Sequence, residues 1–285
     1  MSDDKTNTEA RLISKAIDGV LDQGVAAVLI TVINLTEGES RGLRVGSKLL
    51  TPESGEKVGT LGAAEFDEAV SRQAHTFLSS RDEARVFTVE EFAAGLTEFQ
   101  GVQLLFERIE AEPRLVIAGA GHVGASLARL ASLVGYRVTL VDDRAEFIGR
   151  DLFASPSEQS IDLVVAEDWA DSICTAIAGG RRVSVAIVTR GHKQDEDCLR
   201  AAVASNPSYI GMIGSKRRTN IVLDKLREEG TNEEQLKRVR APIGLDIGAV
   251  SPEEVALAIL AEIVAERRGG SGAQLSSWRR NQTST

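Results

Sequence analysis

Gly119, Gly121 and Gly124 stand at the spacing GxGxxG directly after the apolar run Leu115-Val116-Ile117-Ala118, and Asp142 follows 18 residues after Gly124, at the end of Val138-Thr139-Leu140-Val141. Those residue types at that spacing suit the holding of a phosphate. Gly119 permits a tight turn, Gly121 lets a pyrophosphate approach bare backbone, and Gly124 lets a helix pack close to the preceding strand. Ala120 and Val123 fill the turn. A helix beginning near His122 directs unpaired N–H groups at an anion. Asp142 is placed to accept hydrogen bonds from a ribose, with Asp143 and Arg144 extending the same corner. A free 2′-hydroxyl suits Asp142 better than a 2′-phosphate, which favours NAD over NADP. Arg144 offsets part of that repulsion, so the choice of cofactor stays open.

In an open parallel sheet, ligands sit outside the carboxyl ends of the strands. That rule collects further residues onto one rim: Thr189, Arg190, Gly191 and His192 after one strand, and Gly214, Ser215, Lys216, Arg217 and Arg218 after another. Three cations in the first turn of a helix oppose its positive end, at a cost of about 0.3–1 kcal/mol each. A bound anion reverses that penalty, so Ser215 with its basic trio is a candidate second anion site; a solvated basic helix start is the plainer alternative. His122 either contacts phosphate or is an exposed turn residue. His122 and His192 are expected to face one crevice. His192 lacks a second His or Cys at ligand spacing, so no metal site is expected. His75 reads as surface, and Cys174 and Cys198 read as packed residues of helices. No catalytic residue is assigned.

The elements that would position these residues follow from periodicity. Strands are expected at 114–118, 137–142, 161–166, 183–189 and 209–213, and helices at about 122–134, 168–178, 195–205, 215–229 and 252–268. Alternation of this kind implies a Rossmann-like parallel sheet covered on both faces. Ser251, Pro252 and Glu254 make a capping box for the last helix, and Gly269-Gly270 ends it. Ahead of this lies a smaller α+β domain. Its helix carries Leu12, Ile13, Ala16, Ile17, Val20 and Leu21 as a stripe; strands are expected at 25–33, 43–50, 86–89 and 102–109, and a helix at 63–78. The turn 52–55 could close a hairpin. Glu112-Pro113 marks the boundary, giving domains at 1–112 and 113–270 and a polar tail at 271–285 expected to stay disordered.

The chain has 285 residues and a net charge of −9. That balance disfavours binding to nucleic acid or to an anionic membrane. No apolar run reaches the roughly 20 residues that span a bilayer. The polar, acidic start lacks the pattern of a secretory signal, which makes the cytoplasm the default location. With two cysteines, neither a disulfide framework nor a zinc site is expected.

Four segments together resemble the XdhC/CoxI family, the accessory proteins of molybdenum hydroxylases such as xanthine dehydrogenase. They are RLVIAGAGHVGASLARLASLVGYRVTLVDDR, TRGHKQDEDCL, YIGMIGSKRR and APIGLDIGAVSPEEVALAILAEIVAERRG. The last, with Pro242 to Ala249, is the most specific. The first domain matches more weakly, through Thr36-Glu37-Gly38, Gly46-Ser47-Lys48 and Gly59-Thr60-Leu61-Gly62. The resemblance implies a protein that binds molybdopterin cofactor, protects it during sulfuration and passes it to a target enzyme. The implied partners are a molybdenum hydroxylase and a cysteine desulfurase. Separately, the amphipathic final helix and the small first domain both offer surface for pairing, so a homodimer is expected. One departure is plain. Family members often carry Gly-Gly-Cys in the first domain, whereas this chain has Gly62-Ala63-Ala64-Glu65 and no first-domain cysteine. Glutamate cannot relay sulfur, although it can coordinate a hard metal. An NAD(P)-dependent oxidoreductase, with His192 as its proton donor, and a nucleotide-sensing module in which nothing reacts remain alternatives.

Overall fold

A computed structural model describes residues 2–35, 42–80, 82–178 and 182–276, with the backbone alone for 2–7 and 157. The Thr36-Glu37-Gly38 part of the first-domain match, and 277–285 of the tail, lie outside them. Two compact units are separated at Ala111 and Glu112.

The first unit runs α1 (Ser2–Gln23), β1 (Ala27–Asn34), β2 (Lys48–Pro52), β3 (Val58–Gly59), α2 (Ala64–Leu78), β4 (Ala84–Thr88), α3 (Glu90–Ala93) and β5 (Gln103–Ile109). Its sheet has the order β3-β2-β1-β5-β4 and is antiparallel. Alternation along β1 divides the side chains between the faces. Val28, Ile30 and Val32 meet Phe66, Val70, Ala74 and Phe77 of α2, while Ala27 joins Ile13 and Val20 of α1 on the other face. The 52–55 turn does lead from β2 into the short β3, which pairs back on it.

The second unit runs β6 (Arg114–Ala118), α4 (His122–Leu133), β7 (Arg137–Asp142), β8 (Ile161–Val165), α5 (Trp169–Ile177), β9 (Val183–Ile187), α6 (His192–Ser205), β10 (Tyr209–Met212), α7 (Lys216–Glu228), α8 (Glu233–Lys237), β11 (Val239–Arg240) and α9 (Pro252–Arg268). The strands are parallel, in the order β11-β10-β9-β6-β7-β8. Renumbered within the unit this is 6-5-4-1-2-3, the dinucleotide-binding order, with its reversal between β6 and β9.

Period-2 alternation again assigns the faces. Leu115 and Ile117 of β6 pack with Leu127, Ala128 and Ala131 of α4 and with Ile259 and Ile263 of α9. Val116 and Ala118 of the same strand pack on the other face, with Ile173 of α5 and Cys198, Leu199 and Ala202 of α6. Each fully buried Val, Leu or Ile among these contributes roughly 1.5–3 kcal/mol. In this unit one helix starts more than one residue from its expected position, and one short helix was not expected. α6 begins at His192, three residues early, because Asp195 N–H already bonds to the Gly191 carbonyl. The short α8, capped by Asn232, precedes an edge strand too short for periodicity to register.

Candidate functional site

The turn between β6 and α4 needs its glycines for three separate reasons. Gly119 has φ of +109°, and a Cβ there would lie 2.7 Å from the Val188 carbonyl oxygen. A Cβ on Gly124 would fall 1.8 Å from the Gly119 carbonyl oxygen, so only glycine lets α4 sit this close. Gly121 has ordinary dihedrals, and a Cβ there would meet nothing within 4 Å. Its bareness therefore serves the space in front of it. Gly121 is also the N-cap of α4 and supplies no side-chain acceptor to the first turn. Amides at a helix start with no side-chain cap are where an anion binds.

That space is a cavity of about 410 Å³ across the carboxyl ends of the strands. Gly119, Gly121, His122 and Val123 line it after β6, and Asp142, Asp143 and Arg144 after β7. Thr189 and Arg190 line it after β9, and Gly214 and Arg218 after β10. Trp169, at the start of α5, also lines it. Ala120 and Gly124 build the turn from behind: Ala120 is buried and gives its N–H to Asp142 Oδ2 at 2.7 Å.

Asp142 does not present a free carboxylate. It is 1% exposed. Beyond the Ala120 amide, Arg144 donates its backbone N–H (3.0 Å) and Nε (2.8 Å) to Oδ1, and Nη2 (2.9 Å) to Oδ2. These four bonds match the acceptor capacity of a carboxylate. The expected ribose contact therefore requires Arg144 to withdraw first. Burial pushes the Asp142 carboxyl up, but the bonds from Arg144 and from the Ala120 and Arg144 amides outweigh it, and the group lies below its ordinary range. The Arg144 guanidinium, raised in turn mainly by its bond to Asp142, sits 3.8 Å over the Phe147 ring.

The second expected anion site is arranged differently from the sequence reading. Ser215 Oγ accepts the Arg218 amide at 3.3 Å and so caps α7. Lys216 and Arg217 are exposed and do not line the cavity. Arg218 does line it, but its guanidinium is held by Asp195, which has no exposed surface. Thr189 lines the cavity with its hydroxyl donated to the same carboxylate, at 2.5 Å. Arg190 is different: its side chain is 61% exposed and its ion contact to Asp143 is a loose 4.0 Å. Among the described cations of the cavity, Arg190 is the least offset.

His122 lines the cavity, but His192 does not, because the first turn of α6 directs it to solvent. Gly191 is likewise outside the lining, covered by the Gln194 side chain. Cys198 is buried as expected, and burial pushes its thiol well up. Cys174 is exposed, against expectation: Ile173, Ala176 and Ile177 form the buried stripe of α5, and Cys174 turns outward. His75 is exposed. Glu65 is exposed in the first turn of α2; the neighbouring Asp67 is the buried acid, accepting from Thr60 Oγ1 (2.7 Å) and the Leu61 amide (2.8 Å). Among the described residues no cluster of His, Cys, Asp and Glu could hold a metal ion. Sequence reasoning missed Trp169 altogether, since no motif surrounds it.

Residues 115–263 match the XdhC Rossmann domain, and residues 20–90 match the XdhC and CoxI family. Similar curated proteins include the uncharacterized protein YqeB of Escherichia coli K12, 29% identical over 241 residues, covering 82% of this chain and 43% of that one. A probable xanthine dehydrogenase subunit of Bacillus subtilis 168 is 28% identical over 169 residues, with 59% and 47% covered. The molybdenum cofactor insertion chaperone PaoD of Escherichia coli K12 is 27% identical over 154 residues, with 54% and 40% covered. The chain thus spans less than half the length of each of these relatives.

Proposed function

From the premise that the chain belongs to the XdhC and CoxI family, we propose that it is an accessory protein that carries molybdenum cofactor to a molybdenum hydroxylase such as xanthine dehydrogenase. The observation that carries this reading beyond the family is the bare turn at Gly121. It opens onto the uncapped start of α4 and suits the phosphate or pyrophosphate end of the cargo. The amides of the α4 first turn hold that anion, and Arg190 adds a charge from across the switch point. The cargo supplies the redox chemistry of the target enzyme; this chain binds, orients and releases it.

The metal end fits differently. The cavity lining has no thiol: of the two cysteines, Cys198 is inside the core and Cys174 is on the outer face of α5. The chain therefore shelters the cofactor while a partner of the cysteine desulfurase type delivers sulfur. Activity resides in the cytoplasm, where that partner and the hydroxylase would meet it, with a homodimer as the working assembly. NAD and NADP compete as occupants of the same cradle. The oxidoreductase alternative loses its proton donor with His192 outside the cavity.

The test is chemical. Protein purified from cells that make molybdenum cofactor is acid-oxidised, and the released small molecules are assayed for pterin fluorescence and for adenine nucleotides. A pterin in stoichiometric amount, lost in a Gly121→Ala variant, is the expected result. Adenine nucleotide alone, without pterin, overturns the carrier reading and favours a sensor.

A further inference from the structure

We propose that the cavity takes a nucleotide, not a bare phosphorylated pterin, and that Trp169 is the residue against which its base lies. This rests on the reading of the α4 start as the phosphate position, and it adds what stands beside it. The lining runs from Trp169, after β8, past Asp143 and Arg144, after β7, to Gly121, after β6. Trp169 and the phosphate cradle thus line one cavity from the ends of different strands. A nucleoside phosphate bound there with its phosphate at Gly121 turns its base toward Trp169, past Asp143 and Arg144.

The ring itself is suited to the base position. It is the sole Phe, Tyr or Trp in the described lining. Asp168 fixes it from the chain side, capping α5 by accepting the Asp171 amide at 2.9 Å and so setting Trp169 as the first helical residue. Part of the ring packs against the core on the α5 and α6 face. Its buried Nε1 has no hydrogen-bond partner, so the ring is held by apolar contact, in a lining that also carries Val123, Val188, Ile213 and Pro252. A flat π-face serves any base, because stacking is tolerant of base identity. The opposite arm of the cavity, past Thr189 and Arg190 to Gly214 and Arg218, leaves room for whatever is joined to the far side of a pyrophosphate.

Trp169 is also its own reporter. The chain has two tryptophans, so a Trp278→Phe background leaves Trp169 as the sole indole fluorophore. In that background, ADP, CDP and inorganic pyrophosphate are titrated while Trp169 emission is followed, and affinities are taken from calorimetry. The expected result is quenching by at least one of the two nucleotides, with affinity about tenfold above that of pyrophosphate. Trp169→Ala in the same chain should remove that tenfold advantage and leave pyrophosphate binding unchanged. Trp169→Phe, which keeps an aromatic face and guards against simple misfolding, should retain most of it. If pyrophosphate binds and neither nucleotide binds more tightly or quenches, the base position is wrong and the phosphate cradle stands. If neither pyrophosphate nor nucleotide binds, both fall together.

Discussion

Arg218 in the first turn of α7 places Nε 2.8 Å from Oδ2 of Asp195 in the first turn of α6, and Asp195 has no exposed surface. The pair ties the helices that follow β9 and β10 at the floor of the cavity, and the Thr189 hydroxyl on Oδ1 adds the end of β9 itself. A buried carboxylate accepts this placement because its partners are complete. Asp195→Ala leaves a mostly buried guanidinium unpaired, a loss on the order of 3 kcal/mol. Urea denaturation followed by circular dichroism should show that drop. A loss under about 0.5 kcal/mol would mean the pair holds nothing in place.

The glycines of the cradle separate stability from binding. A Cβ at Gly124 meets the Gly119 carbonyl oxygen at 1.8 Å, whereas one at Gly121 meets open space. Gly124→Ala should therefore force α4 off β6 and lower the melting temperature by several degrees. Gly121→Ala should melt as wild type while its methyl intrudes where the anion sits, weakening pyrophosphate binding at least tenfold. Equal melting losses in both variants would remove the distinction between a packing glycine and a cradle glycine.

Asp142 sets a testable acid dependence. Its carboxyl is depressed below the ordinary 3.8, so its contribution is fully present above that value and is lost as pH falls through the lower folded one. Asp142→Asn should cost on the order of 2 kcal/mol near neutrality, since charged hydrogen bonds become neutral ones. The gap between wild type and variant should close below about pH 4. Denaturation curves of both proteins between pH 3 and pH 7 measure it. A gap constant across that range would contradict the depressed carboxyl.

What the sequence made legible was whatever repeats with a period. The strands of the parallel sheet and the Phe66, Val70, Ala74 and Phe77 stripe follow from spacing alone, because burial on one face selects residue type at fixed intervals. The glycine turn was legible because each glycine answers a backbone constraint. Side-chain direction was not. Whether Asp142 faces a ligand or Arg144 depends on a rotamer two residues away, and whether Cys174 is inside depends on where α5 starts. Arg218 differs from Lys216 and Arg217 through a carboxylate 23 residues earlier in the chain, a partner that no local pattern reveals.

That difference separates the basic residues into two groups by experiment. Arg190 lines the cavity with its charge little offset, while Lys216 and Arg217 are exposed and outside it. Arg190→Ala should weaken pyrophosphate binding about tenfold and flatten its dependence on salt. Lys216→Ala and Arg217→Ala should leave both unchanged, and all three should unfold within about 0.5 kcal/mol of wild type. Calorimetric titration at two salt concentrations reads these effects. A loss at Lys216 or Arg217 equal to that at Arg190 would restore the basic helix start as an anion site.

The thiols decide whether this chain can relay sulfur. Cys198 is buried in the core and its thiol is pushed up by burial, so thiolate is scarce at neutral pH; Cys174 is exposed. Reactivity follows thiolate character and access. Under native conditions an aromatic disulfide reagent should modify Cys174 and leave Cys198 untouched until denaturant is added. Cys174→Ser should abolish the native reaction while leaving pterin content unchanged, because the cavity lining contains neither sulfur atom. Rapid native labelling of Cys198, or loss of pterin with Cys174→Ser, would place a cysteine back in the path of the cargo and would return sulfur handling to this chain.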